Sequence, residues 1–156
     1  MQINRIELFS THASQSTGEF YNYELLMCET SLSSLTTSFD ANYSGNTPTA
    51  VLQRDTLKID WQATSPGWNG FDLDTPFQYS GAQNLIIEFR YLGDNGKTVN
   101  ARAAAISPQD RCLSGSHPQS ATGTFMSFLT CMRIHYTAEE LANTTFAEVK
   151  TLFRND

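Results

Sequence analysis

The chain has 156 residues, the size of one ordinary domain, and that length buries a core without disulfide or metal staples. Ten Phe and six Tyr stand among abundant Ser, Thr and Asn, with 17% charged residues and a net charge of −6. This composition excludes a disordered chain and a helical bundle, and the shortage of basic residues argues against nucleic acid or an anionic membrane surface as partner.

Met1-Gln2 leads directly into Ile3-Asn4-Arg5-Ile6-Glu7-Leu8-Phe9, a first predicted strand with no leader ahead of it. Met1 is read either as an added start residue or as marking a cut from a longer precursor. Ser10–Gly18 is a Ser/Thr-rich loop, and Phe20–Cys28 is the next strand. Leu35–Phe39 reads as a weaker strand, Asn42–Pro48 as a loop and Ala50–Gln53 as a short strand. Thr56–Ala63 alternates: Leu57, Ile59 and Trp61 share one face, and Lys58, Asp60 and Gln62 the other. One face is therefore wet, as in an antiparallel sheet.

Ser65-Pro66-Gly67 turns the chain into an extended piece carrying Trp68, Phe71 and Leu73. Asn84–Tyr91 is apolar on both faces through Leu85-Ile86-Ile87, which predicts a central position. Gly93-Asp94-Asn95-Gly96 signals a hairpin, with Thr98–Ile106 as the returning partner. Ala101, Ala103, Ala104 and Ala105 would let another segment approach closely. Ser107–Gly123 is a long irregular loop and Thr124–Tyr136 a final strand region. In the tail, Thr145-Phe146-Ala147-Glu148 has capping-box form, and Phe146, Val149, Leu152 and Phe153 share one helical face. No run of about eighteen apolar residues suits a transmembrane helix.

Strands at this spacing without intervening helices indicate an all-β antiparallel sandwich over residues 1–136. A short amphipathic helical tail over 137–156 would pack on the same domain or on a neighbour. Cys112 and Cys131 flank a polar stretch, and a disulfide there would contribute about 3 kcal/mol. Two reduced thiols in a β core are the other reading. Cys28 is read as a small buried apolar side chain.

One segment carries a resemblance. Gly67-Trp68, Phe71-Asp72-Leu73-Asp74-Thr75-Pro76-Phe77-Gln78-Tyr79-Ser80-Gly81 and Asn84-Leu85-Ile86-Ile87-Glu88 resemble a pattern in large secreted bacterial surface proteins of adhesin type. It covers about twenty residues and bears on architecture more than on function. The tail Thr144–Phe153 is similar to the ends of such domains, although Phe146-Ala147 stands where Trp-Gly is more typical. The resemblance implies a jelly-roll-like sandwich, an exported protein and no defined catalytic site.

Enzyme signatures are weak. Neither a Gly-x-Ser-x-Gly elbow nor a His-Glu-x-x-His pair occurs. Gly96-Lys97-Thr98 imitates the end of a phosphate loop, but Tyr91 stands where the earlier Gly belongs. His12, His117 and His135 are far apart, and none has zinc spacing to a Cys. Asp72, Asp74, Asp94 and Asn95 do not make a dense calcium loop. Asp72 and Glu88 could be paired on paper as glycosidase carboxylates, but the mechanism needs a separation that spacing does not supply. Neither a metal nor a cofactor is expected.

The first functional expectation is a non-catalytic extracellular module for cell-surface adhesion or assembly. Its partners would be neighbouring copies or domains, with Phe146, Val149, Leu152 and Phe153 among its contacts. The alternative is a carbohydrate-binding module, in which Trp68 stacks on a sugar and Asn69, Tyr79 and Tyr43 assist. A third arrangement makes Trp68 a lid folded over the edge of the core.

Overall fold

The computed structural model describes residues 1–97 and 99–138. Every strand ladder among them is antiparallel, and the molecule is all-β in class. In the first sheet, β1 (Gln2–Ser10) lies between β4 (Gly67–Gln78) and β11 (Met132–Thr137). In the second, β2 (Thr17–Thr30) lies between β3 (Thr49–Asp60) and β5 (Asn84–Arg90), and the two-residue β6 (Gly93–Asp94) continues the β5 side. Two small ladders complete the set: β7 (Ala103–Ala105) with β10 (Phe128–Thr130), and β8 (Leu113–Ser114) with β9 (Thr124–Phe125).

One apolar cluster draws on both sheets. Ile3 and Ile6 come from β1, Leu73 and Phe77 from β4, Tyr23, Leu25 and Met27 from β2, and Leu52, Leu57 and Ile59 from β3. Simple alternation would put Ile3 and Ile6 on opposite faces, yet both are buried. A register shift between Ile3 and Arg5 resolves this: a bulge inserts one residue and turns Ile3 back to the core. A second shift between Leu25 and Leu26 lets adjacent Val51 and Leu52 both be buried.

Several expectations change. Ala50–Gln53 and Thr56–Ala63 are not separate strands: Thr49–Asp60 is one continuous β3. Leu35–Phe39 is not a strand. Leu35 donates its amide to Asp110, and Phe39–Asn42 forms a single helical turn, α1, whose Ala41 amide is accepted by the Ser38 hydroxyl. β5 is not central; β2 is its ladder neighbour, at the sheet edge. Its Leu85, Ile87 and Phe89 pack on the core, while Ile86 pairs in register with buried Cys28 on the opposite face.

The hairpin expected at Gly93–Gly96 does not return along β5. The turn is made, with Gly96 at φ 75, but β6 pairs with β2. The chain then crosses the ends of β1 and β2 through bridges from Val99 to Ser16 and Ala101 to Ser10. The loop Ser107–Gly123 contributes β8 to a short ladder.

All three cysteines are free, and Cys112 and Cys131 are not at disulfide distance. Separate backbone bonds hold them. The Cys112 carbonyl accepts from Met126 at 2.9 Å. Cys131 donates to the Arg102 carbonyl at 2.8 Å and accepts from the Phe9 amide at 3.4 Å. Cys28 is buried, as expected. Burial pushes the Cys28 and Cys112 thiols up in pKa, which lowers their reactivity. The predicted tail helix, with Phe146, Val149, Leu152 and Phe153, lies outside the described residues.

Candidate functional site

Beyond its bulge, β1 alternates, and Arg5, Glu7 and Phe9 point away from the core. Their register partners on β4 are Asp72, Gly70 and Trp68. On β11, His135 lies opposite Arg5 and Arg133 opposite Glu7. Eight positions from three strands therefore share one outer face. Gly70 is required there: a Cβ would collide with the Ile6 carbonyl oxygen and come 2.6 Å from the Glu7 Cα, so β1 and β4 approach too closely for a side chain.

The aromatic end of this face is layered. Trp68 meets Phe9 edge-on, with ring centroids 5.4 Å apart at 85°. The Arg133 guanidinium lies 4.3 Å over the Trp68 ring, and that of Arg102 lies 4.9 Å over Phe9. Such cation–π contacts contribute about 0.5–1 kcal/mol at exposed sites. The polar end is organised by Glu7, whose side chain is only 11% exposed. It accepts from Arg5 at 3.1 Å, Arg133 at 3.4 Å and His135 at 2.8 Å. Arg5 also reaches Asp72 at 2.8 Å. The His135 hydrogen bond, followed by the one from Arg5, holds the Glu7 carboxyl below its ordinary pKa although burial opposes this. Glu7 is therefore an anchored counterion rather than a group poised to exchange a proton.

A buried polar network braces the start of β4 beneath Trp68. The Asn69 amide donates to the Ser10 hydroxyl at 2.9 Å and the Gly67 carbonyl at 3.2 Å, and Thr64 donates to the Asn69 side-chain oxygen. Ser65 links Ser10 at 2.5 Å to Ser16 at 2.8 Å. Ser10 and Ser16 are fully buried. Satisfied networks of this kind fix geometry, because any orphaned member would carry a desolvation penalty.

The residues singled out from sequence are not brought together. Trp68 is half-buried on the outer face, and Asn69 points inward beneath it. Tyr79 lies past the far end of β4, where its hydroxyl donates to the Gln83 carbonyl at 2.7 Å. Tyr43 is buried on the second sheet; its hydroxyl donates to Glu88 and accepts from Arg90 at 2.9 Å. Asp72 and Glu88 face different neighbours in different sheets.

Sequence reasoning missed Glu7, Arg133 and His135. The strand carrying Glu7 was visible, but its pairing with a strand more than a hundred positions away was not. Among the described residues, no group of three or more His, Cys, Asp or Glu side chains could hold a metal ion, and no helix is long and apolar enough to cross a membrane. No family model matches the chain, and no curated protein or solved structure matches it.

Proposed function

We propose that the protein is a non-catalytic β-sandwich module, jelly-roll-like in architecture, that works outside the cell in surface adhesion or assembly. The two sheets would be the layers of the sandwich, and the outer face of β11–β1–β4 its contact surface. The observation that carries this reading is the Arg133–Trp68–Phe9–Arg102 stack, set on a sheet face beside the Glu7 cluster. Trp, Tyr and Arg dominate protein–protein hot spots because they offer large contact areas with polar ends.

The edge strand adds a second contact beside this face: its Ile134 and Tyr136 stand in register with Ile6 and Ile3, on the side opposite to Arg133 and His135. Among the described residues β11 pairs on one side only, with β1. Its Ile134 and Tyr136 remain 37% and 57% exposed. An edge strand with exposed apolar side chains invites strand addition by a neighbour. The sugar-platform reading of Trp68 receives less support, since Arg133 already lies over its ring.

Sedimentation velocity over a rising protein concentration, joined to a cell-binding assay, tests the reading. Self-association or cell binding is expected, weakened at least about tenfold by Arg133→Glu or Tyr136→Lys. A wild-type chain that stays monomeric at high concentration and binds neither cells nor neighbouring domains would overturn it.

A further inference from the structure

The second sheet carries a separate feature on its own outer side. β2 breaks step at Asn22, which takes a left-handed conformation at φ 48. Such a conformation is uncommon outside glycine and persists where the surroundings fix it. The neighbouring ladder breaks at the same point. β5 pairs with β2 from Glu24 to Thr30, and β6 pairs with Phe20 and Tyr21. Neither covers Asn22 and Tyr23, so the chain at Tyr91 and Leu92 leaves a gap. A crevice of ≈ 490 Å³ opens there, lined among others by Asn22, Glu24, Gln53, Asp55 and Gln119. That volume lies within the range of small-molecule sites. Gln119 comes from the 107–123 loop, so a segment without a structural role in sequence supplies part of the wall.

The charges in the crevice are unevenly committed. Arg54 is held by Asp74 at 2.5 and 2.8 Å. Arg90 is held by Glu88 at 2.6 Å and by the Tyr43 hydroxyl at 2.9 Å. Both cations are thus neutralised by acids that do not line the crevice. Among the described residues, Glu24 accepts only the Gln53 side-chain amide, at 2.9 Å. Asp55 is exposed and makes no ion pair among the described residues. The site therefore offers two carboxylates with spare acceptor capacity, flanked by side-chain amides that can both donate and accept.

We propose that this crevice binds a neutral saccharide residue. Glu24 and Asp55 accept hydrogen bonds from its hydroxyls, and the amides of Asn22 and Gln119 bond its remaining oxygens. A carboxylate takes two adjacent hydroxyls at once, and hydrogen bonds to a charged acceptor are the stronger kind. An anionic sugar is repelled by the same two carboxylates. The site is independent of the Trp68 face, and its failure would leave the assembly reading intact.

Titration calorimetry of the full chain with the methyl glycosides of glucose, galactose, mannose and N-acetylglucosamine tests it, with N-acetylneuraminic acid as the anionic control. Saturable binding of at least one neutral glycoside is expected, weakened about tenfold or more by Glu24→Gln and by Asp55→Asn. Trp68→Ala should leave that binding unchanged. Asp55 is exposed and its replacement nearly isosteric, so loss of binding in a folded Asp55→Asn chain reports on the crevice. The proposal is overturned if no neutral glycoside binds, if the anionic sugar binds equally well, or if binding is lost with Trp68→Ala and kept in both carboxylate variants.

Discussion

Glu7 shows how one residue can organise a face. It is a carboxylate on the outer side of a sheet, yet it is 8% exposed, because Arg5, Arg133 and His135 close over it. Its folded pKa lies below the ordinary value, chiefly through the His135 hydrogen bond. A depressed carboxyl pKa contributes stability that is fully present above the unfolded pKa, roughly 4.3 for Glu. That contribution is lost as pH falls through the folded value. Urea melts of the wild type should therefore weaken as pH drops through and below this range. Glu7→Gln should cost about 1–3 kcal/mol at neutral pH, because two guanidinium groups lose a shared counterion, and its melts should depend less on acid. An acid dependence as steep as in the wild type would remove Glu7 from this role. Asp72, bonded to Arg5, and the Asp74–Arg54 pair are the charged background against which the difference is read.

At the scale of elements, β11 and its approach decide most of the exposed character. Cys131 sits between β10 and β11 and is tied by backbone bonds to Phe9 and Arg102. Cys112 is tied to Gln109 and Met126 in a different ladder. Neither can move toward the other without breaking those bonds. Alkylation under denaturing, non-reducing conditions should therefore modify three cysteines, with no further uptake after reduction; uptake of only one would show that the pair is bridged. The same tie explains the outer face, since the Cys131–Phe9 bond helps bring β11 alongside β1 and so places Arg133 over Trp68. Ile3–Phe9 was legible as a strand, and the alternation within Thr56–Asp60 as well, because both signals are local. The edge position of β5 was not, since Leu85-Ile86-Ile87 reads as doubly buried whether its cover is another strand or, as here, a fold of chain around Tyr43.

For the whole molecule, the shared core is the unit of stability. Leu25 is fully buried on the central strand β2, in a cluster that includes Ile6 of the first sheet and Leu57 of the third strand. Leu25→Ala should cost about 2–5 kcal/mol through lost burial and the cavity left behind. Because both sheets contribute to one cluster, tryptophan fluorescence and far-ultraviolet dichroism should shift together in denaturant. Separate transitions would mean that the sheets unfold independently. The sequence by itself determined the β class, most of the main strands and the inward face of the Leu57–Ile59 stretch of β3, since period-two patterning depends on neighbours a few residues apart. Only the tertiary structure decided which strands meet. That choice placed Glu7 beside two guanidinium groups and an imidazole, separated Trp68 from Tyr43 and Tyr79, left Cys112 and Cys131 unpaired, and opened the crevice at Asn22. Each depends on contacts between residues tens to more than a hundred positions apart, selected by how the sheets bury a common core rather than by any local preference.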